Sequence, residues 1–297
     1  MSDAVYEQLA RVEDRLWWHE SRRELIRVLL TRVGEAFQPV DRLESRSHIA
    51  AALDVGCGTG GSFSLLSEYA DRVVGIDLSP RALELAKHKH RSAELHLADA
   101  NALTRWFDEE SFDLVSMLNV LYHRWILDEV SALRQVWAVL KPGGVIVISD
   151  PAFGCLFRRH DRVVRGRRRF TLGQMRKLLS AARFDWVAGT YFNMVSFLPA
   201  WCLARWDDVR PHTNGDAPLG EIAVPPFPIN DAMQLVMAFE RAAIRLLGRT
   251  PFGVTLLCVA RKPGRLDSRK VEGQRSKVKG RKVGTLDFRP LTFDLGP

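Results

Sequence analysis

A cluster of glycines and three carboxylates set the chemistry open to this sequence. The run Leu53-Asp54-Val55-Gly56-Cys57-Gly58-Thr59-Gly60-Gly61 ends a short apolar stretch and leads into residues suited to a helix. Gly56, Gly58 and Gly60 let the backbone turn tightly and approach a ligand with no Cβ in the way. A helix starting there offers free N–H groups to an anionic group. Asp54 stands just ahead of the glycines, where a negative charge is awkward beside a diphosphate and helpful beside an ammonium or sulfonium. Asp77 closes Val73-Val74-Gly75-Ile76 and is placed to accept hydrogen bonds from ribose hydroxyls. Asp99, in Leu97-Ala98-Asp99-Ala100, is placed to accept one from an adenine amino group. Any one of these acids is more often a cap or turn residue. All three at the C-terminal ends of successive apolar runs mark the crevice where open parallel sheets bind ligands.

The glycines fit a second pattern equally well. Gly56-x-Gly58-x-x-Gly61, with an acid about 20 residues further on, is the dinucleotide fingerprint. On that motif alone a nicotinamide-dependent oxidoreductase stays open. Candidates for proton transfer lie further along: His123, after Asn119-Val120-Leu121-Tyr122, and His160, adjacent to Asp161. An imidazole near the crevice suits a general base; a capping or solvent-exposed histidine is the bland alternative.

These residues need a scaffold to bring them together. Residues 1–33 read as helix, with Val5, Leu9, Val12 and Leu16 at helical spacing and Leu25, Val28 and Leu29 continuing the face after Trp17-Trp18. Residues 34–48 are a polar connector. Short apolar runs then alternate with helical segments: Ile49–Val55, Val73–Ile76, Glu94–Leu97, Phe112–Leu118 and Val145–Ser149, separated by helices near Ser62–Tyr69, Pro80–His90 and Leu127–Leu140. That alternation predicts a parallel sheet covered by helices on both faces. A loop from Pro151 to Phe170, a helix near Thr171–Ala182 and a strand near Phe184–Phe192 follow. Residues 194–248 read as a helical insertion interrupted by a Pro- and Gly-rich stretch, before a last strand at Phe252–Ala260.

The chain's 297 residues suit one such domain with appendages, and its formal net charge is +8. From Arg261 onward there are eleven basic and four acidic residues. The basicity therefore belongs to a tail, residues 263–297, expected to be disordered, and the folded part is no basic nucleic-acid-binding domain. Cys57, Cys155, Cys202 and Cys258 show no Cys-x-x-Cys pair, which fits neither a disulfide framework nor a zinc site and points to a reducing cytosol. No signal peptide or membrane span is expected from the apolar runs. The protein is expected to be cytoplasmic.

From Ile49 to Ser149 the chain resembles the core of class I S-adenosylmethionine-dependent methyltransferases. Leu53–Gly61 is similar to their first motif, Gly75-Ile76-Asp77-Leu78-Ser79 to the second, and Ala98-Asp99-Ala100 to the adenine-contacting one. Phe112-Asp113-Leu114-Val115 resembles their fourth strand, and Leu140-Lys141-Pro142-Gly143-Gly144 the turn into the fifth. The resemblance implies a Rossmann-like α/β fold: a seven-stranded, mostly parallel sheet with an antiparallel last strand. It implies S-adenosyl-L-methionine as cofactor, held by Asp54, Gly56, Gly58, Gly60, Asp77, Leu78, Asp99, Ala100 and Asn119. Leu16-Trp17-Trp18-His19 with Arg22-Arg23, and His160-Asp161 before Arg167-Arg168-Arg169-Phe170, resemble a loosely defined bacterial branch of the family acting on small molecules. Residues 1–48 would be a helical lid, in which Tyr6, Trp18 and His19 either cover the cofactor or pack in a core, and 49–262 the methyltransferase domain.

Methyl transfer from a sulfonium needs orientation, a dry site and at times a base. On that reading His160, His123 and Asp161 are the catalytic candidates. Arg165 and Arg167–Arg169 suit an anionic acceptor if they are not simply a solvated loop. The 194–248 insertion suits a hydrophobic acceptor, a dimer partner or a membrane surface. The acceptor expected is a small-molecule or lipid-like compound, with O- or C-methylation ahead of N-methylation. A nucleic-acid acceptor is disfavoured, because Asn119-Val120-Leu121-Tyr122 lacks the Asn-Pro-Pro-aromatic pattern of base methylases. The alternatives are an NAD(P)-dependent oxidoreductase, although no Tyr-x-x-x-Lys follows, and a non-catalytic cofactor-binding protein.

Overall fold

Seven strands form one sheet in the order β3-β2-β1-β4-β5-β7-β6. The computed structural model describes residues 3–34, 49–209, 225–226 and 228–264; the tail expected over 263–297 and the Pro- and Gly-rich stretch therefore lie largely outside the described residues. The strands are β1 (Ile49–Val55), β2 (Ala70–Asp77), β3 (Glu94–Leu97), β4 (Phe112–Leu118), β5 (Leu140–Pro151), β6 (Asp185–Phe192) and β7 (Thr255–Arg261). All pairings from β3 across to β5 are parallel, and β7 runs antiparallel between β5 and β6. The Rossmann-like sheet with a reversed last strand is thus present.

The central strands β1, β4, β5 and β7 bury both faces, as strands covered by helices on both sides must. Leu53, Val55, Ile76, Val115, Met117, Ile146 and Ile148 belong to one core, with Leu133, Val136, Met175 and Leu179. Those last four lie on α5 (Glu129–Val139) and α7 (Leu172–Ala181). Residues of alternate parity, Ala52, Leu114, Val145, Val147, Leu257 and Val259, belong to the other core with Leu25, Ile26, Leu29, Met237 and Ile244. These come from α2 (Trp17–Leu30) and α9 (Ile229–Leu247). The period of two along the strands is what lets one run of apolar residues feed two cores.

The N-terminal helical span divides in two: α1 (Asp3–Val12) and α2, with a break at residues 13–16. The break turns α1 off the sheet face and toward α4 (Pro80–Lys89), to which Arg81–Glu7 and Lys89–Glu13 ion pairs of 2.7 and 2.6 Å tie it. The helix expected near Ser62–Tyr69 shortens to α3 (Phe63–Leu66) because Tyr69 is buried and β2 starts at once after it. The 151–170 segment, read as loop, contains a short helix, α6 (Arg159–Val163), and α8 (Phe197–Val209) lies ahead of α9. None of the described helices is long and apolar enough to cross a membrane.

Candidate functional site

The parallel register brings the three carboxylates to one edge of the sheet. Asp54 pairs with Gly75 on one side and Ser116 on the other, while Asp77 pairs with Leu97. Beyond these strand ends lies a cavity of about 640 Å³, lined among others by Asp54, Gly56, Gly58, Asp77, Leu78, Asp99, Ala100 and Asn119. Gly60 sits just outside that lining and makes the turn, with φ +83° and its backbone N–H donating to Cys57 O at 3.0 Å. Asp77 accepts the N–H groups of Gly58 and Ser79, each at 2.9 Å, which fastens the glycine loop to β2. Asp99 accepts the Asn101 N–H at 2.9 Å and its side-chain amide at 2.7 Å, so it caps a helical turn and faces the cavity as well. Asn119 takes φ +60°, a backbone strain that commonly marks functional loops.

Gly56 shows what the loop requires. Its φ is +70°, and a Cβ added there would lie 2.6 Å from Val120 Cγ2. Gly56→Ala is therefore expected to lower folding stability by about 1–3 kcal/mol and to push Val120 and its neighbour Asn119 out of place. A denaturant midpoint indistinguishable from the parent's would contradict this.

Asp54 is buried, with both carboxylate oxygens in use: Ser116 Oγ donates at 2.6 Å and Ser62 Oγ donates to the other. Burial pushes its carboxyl up to about 6, against the lowering effects of the two hydroxyls and of the Arg22 charge. A ligand ammonium beside Asp54 needs the ionised form. Affinity for such a ligand is then level above that value and falls as pH drops through it, approaching tenfold per pH unit. Titrating S-adenosylhomocysteine between about pH 8 and about pH 5 checks this; a flat profile would remove Asp54 from the ligand's amino end. For the chain without ligand the sign is opposite. Asp54's contribution to stability is complete below its ordinary 3.8 and is lost as pH rises through about 6.

Sequence reasoning named Arg22 only as part of a motif and gave no site role to this cation opposite the acids. Arg22, on α2, lines the cavity and is 7% exposed, yet its Nε and Nη1 have no partner. Its Nη2 lies 3.2 Å from His19 Nδ1, and the guanidinium stacks 4.7 Å from the Trp18 ring centre. Trp18 and His19 thus hold Arg22 and also line the cavity, as does Tyr6 of α1. Burial lowers Arg22 to about 10, leaving it protonated at neutral pH. Thr59 Oγ1, Asn119 Oδ1 and Asn193 Oδ1 are likewise buried without partners, and all three residues line the same cavity. Buried polar groups are normally satisfied, so these atoms describe a site shaped for a polar ligand. The set fits an amino-acid–nucleoside cofactor: Arg22 for a carboxylate, Asp54 for an ammonium, Asp77 for a ribose and Asp99 for an adenine.

His123, His160 and Val164 line the same cavity as Asn119. Burial pushes His123 down to about 4, so its ring is neutral at physiological pH; Nδ1 lies 3.4 Å from Arg165 O. Asp161 does not line the cavity. It caps α6 by accepting the Arg158 N–H at 2.9 Å and binds Arg169 through both oxygens, at 3.0 and 2.9 Å. The neighbouring arginines are also engaged, Arg167 and Arg168 both pairing with the buried Glu129.

A family model described as a methyltransferase domain matches residues 53–148. The O-methyltransferase cnsE of Penicillium expansum is 36% identical over 143 residues, covering 45% of this chain and 49% of that protein. The demethylmenaquinone methyltransferase of Staphylococcus epidermidis is 30% identical over 149 residues, covering 43% and 61%. The chain thus spans about half of the first relative and three-fifths of the second. In fold it is similar to geranyl diphosphate C-methyltransferase of Streptomyces coelicolor, solved with S-adenosyl-L-homocysteine, at a TM-score of 0.52 and 14% identity over 82% of this chain and 76% of that one. It is similar too to a Haloferax volcanii methyltransferase solved with its Trm112 activator, at 0.54 and 18% over 89% and 96%. The match from Leu53 to Ile148 runs from β1 into β5, the part of the sheet that walls the cavity. On that footing residues 53–148 match a methyltransferase domain, and the fold of the chain is similar to that of solved methyltransferases.

Proposed function

We propose that this chain methylates a small-molecule or lipid-like acceptor, at oxygen or carbon, in the outer half of the cavity. The supporting observation is the continuity of one cavity from the carboxylate cradle, past Asn119, to His123, His160 and Asn193. Bound S-adenosylmethionine supplies a methyl group on a sulfonium, activated for in-line displacement.

The chain's residues do the remaining work. Arg22, Asp54, Asp77 and Asp99 fix the two ends of the cofactor, which sets the line of attack; such orientation carries several kcal/mol of a barrier. Gly56 and Gly58 bring the backbone up to the ligand. Tyr6, Trp18 and His19 cover it from the N-terminal helices, making the described residues 3–34 a lid and keeping water from the transfer. The proton leaving a hydroxyl or an acidic carbon passes to the imidazole of His160. His123, whose ring is so weakly basic, orients the acceptor instead. Asp161 acts through the α6 cap and Arg169, holding His160 in place.

His160→Gln is expected to lower the turnover of an oxygen acceptor about 10²- to 10⁴-fold while leaving S-adenosylhomocysteine affinity unchanged. The experiment incubates the full chain and cofactor labelled in its methyl group with phenols, quinols, carboxylic acids, prenyl compounds and amines, and follows the label. Transfer to oxygen or carbon acceptors is the expected outcome. Cofactor binding with no label transferred to any class would favour a binding protein, and transfer confined to amines would overturn the choice of atom.

A further inference from the structure

The helix α8 is built inside out. At 3.6 residues per turn, Leu198, Trp201, Cys202 and Trp206 share one side, with Arg205 among them and Leu203 at its margin, whereas Ala204 is turned inward and buried. Leu198 is 65% exposed, Trp206 54%, Leu203 47% and Trp201 41%. A surface helix ordinarily buries its apolar stripe, and contiguous exposed patches rimmed by polar groups mark contact surfaces.

The rim is cationic. Residues 157–169 carry seven arginines and one acid, Asp161. Arg162, Arg165 and Arg205 are exposed, and so are Arg167 and Arg168, which pair with Glu129; Arg169 is held by Asp161. This segment is joined to α8. Arg158 Nε lies 3.8 Å from Asp207 Oδ2, and the Arg159 N–H donates to the same oxygen at 3.3 Å. Arg205 Nη2 donates to Cys155 O at 3.4 Å, and Phe197 packs against Phe153 and Phe252 with ring centres 5.5 and 5.2 Å away. The helix is therefore fixed to the body by its inner side, with its apolar side outward.

We propose that α8 and the arginines of α6 and the adjoining loop form a docking surface for an anionic lipid bilayer. Trp201 and Trp206 sit at the headgroup level, where an amphipathic indole is favoured. Leu198 and Leu203 reach the acyl boundary, and Arg162, Arg165 and Arg205 meet lipid phosphates. Charge complementarity selects this occupant: a second copy would bring the same arginines face to face. The placement also has a consequence for the cavity, because His160 and Val164 of this arginine segment line it. A docked molecule would present its outer half toward the lipid surface, where an amphiphilic acceptor resides.

The test uses the full chain in sedimentation with vesicles of phosphatidylcholine alone or with a minority of phosphatidylglycerol. It is run beside a Trp201→Ser/Trp206→Ser variant whose basic C-terminal segment is intact. Binding to the anionic vesicles is expected, reduced about tenfold or more in the variant, with S-adenosylhomocysteine affinity unchanged as proof of folding. Vesicle binding does not depend on turnover, so it can succeed or fail independently of the methyl-transfer reading. Equal binding by both proteins would assign it to basic segments alone and overturn the proposal. So would no binding by the parent, or a dimer that the variant dissolves without any vesicle binding.

Discussion

Asp77→Ala is expected to weaken S-adenosylhomocysteine binding by at least tenfold, a loss of about 1.4 kcal/mol or more. The carboxylate does two things at once. Its oxygens accept the Gly58 and Ser79 N–H groups, shaping the glycine loop, and it lines the cavity where a ribose would lie. A charged acceptor lost from a buried hydrogen bond costs about 1.5–3 kcal/mol, so the loosened loop would take the effect above the tenfold floor. Burial pushes the Asp77 carboxyl above its ordinary value, and the backbone donors pull it back. Calorimetry supplies the affinity, and a melt of the variant without ligand separates a local loss from unfolding. Affinity within twofold of the parent in a well-folded variant would place the ribose elsewhere.

The second large effect concerns Arg22. Arg22→Met is expected to lower S-adenosylhomocysteine affinity about 10- to 100-fold, because a carboxylate entering the cavity would lose its cation. Two further readouts make the prediction specific. Binding of 5′-methylthioadenosine, which has the nucleoside but no amino-acid end, should hardly change. The pH below which binding declines should also rise above the parent's value of about 6, since the Arg22 charge helps keep Asp54 ionised. Equal losses for both ligands would mean that Arg22 serves only to hold the lid together through Trp18 and His19.

The difference between these two residues shows how far the sequence could be read. Asp77 was legible because it ends an apolar run a fixed distance after the glycines, and strand ends in a parallel sheet converge whatever the loops do. The same reasoning placed Asp54 and Asp99. Arg22 lies more than thirty residues before Gly56 in a helix whose pattern reads as one more amphipathic surface. Only the break at 13–16 and the packing of α2 under α9 turn it inward. The signal available was local: Trp18 and His19 stand four and three residues before it, the spacing at which helical side chains meet. Asn193, in Tyr191-Phe192-Asn193, belongs to the resembled bacterial pattern, but its place at the cavity could not be read, since it follows β6, on the far side of the sheet order from β1.

Asp161 illustrates the opposite error of proximity. Adjacent to His160 in the chain, it suggested an acid–imidazole pair, but helical geometry points neighbours in different directions. Asp161 turns in to Arg169 while His160 lines the cavity. The arginine-rich run after it likewise suggested an anion site. Glu129, at the start of α5, instead draws two of those arginines onto the body. Long-range ion pairs of that kind leave no spacing to read.

The central claim is that the glycine loop and its three acids hold S-adenosylmethionine rather than a dinucleotide. A calorimetric titration of the purified full chain with S-adenosylhomocysteine, and with NADH as the comparison ligand, tests it most directly. The account predicts micromolar binding of S-adenosylhomocysteine and none of NADH, since Asp54 would then sit beside a diphosphate rather than an ammonium. Binding of NADH without S-adenosylhomocysteine would contradict the account and return the loop to the dinucleotide fingerprint that its glycines also satisfy.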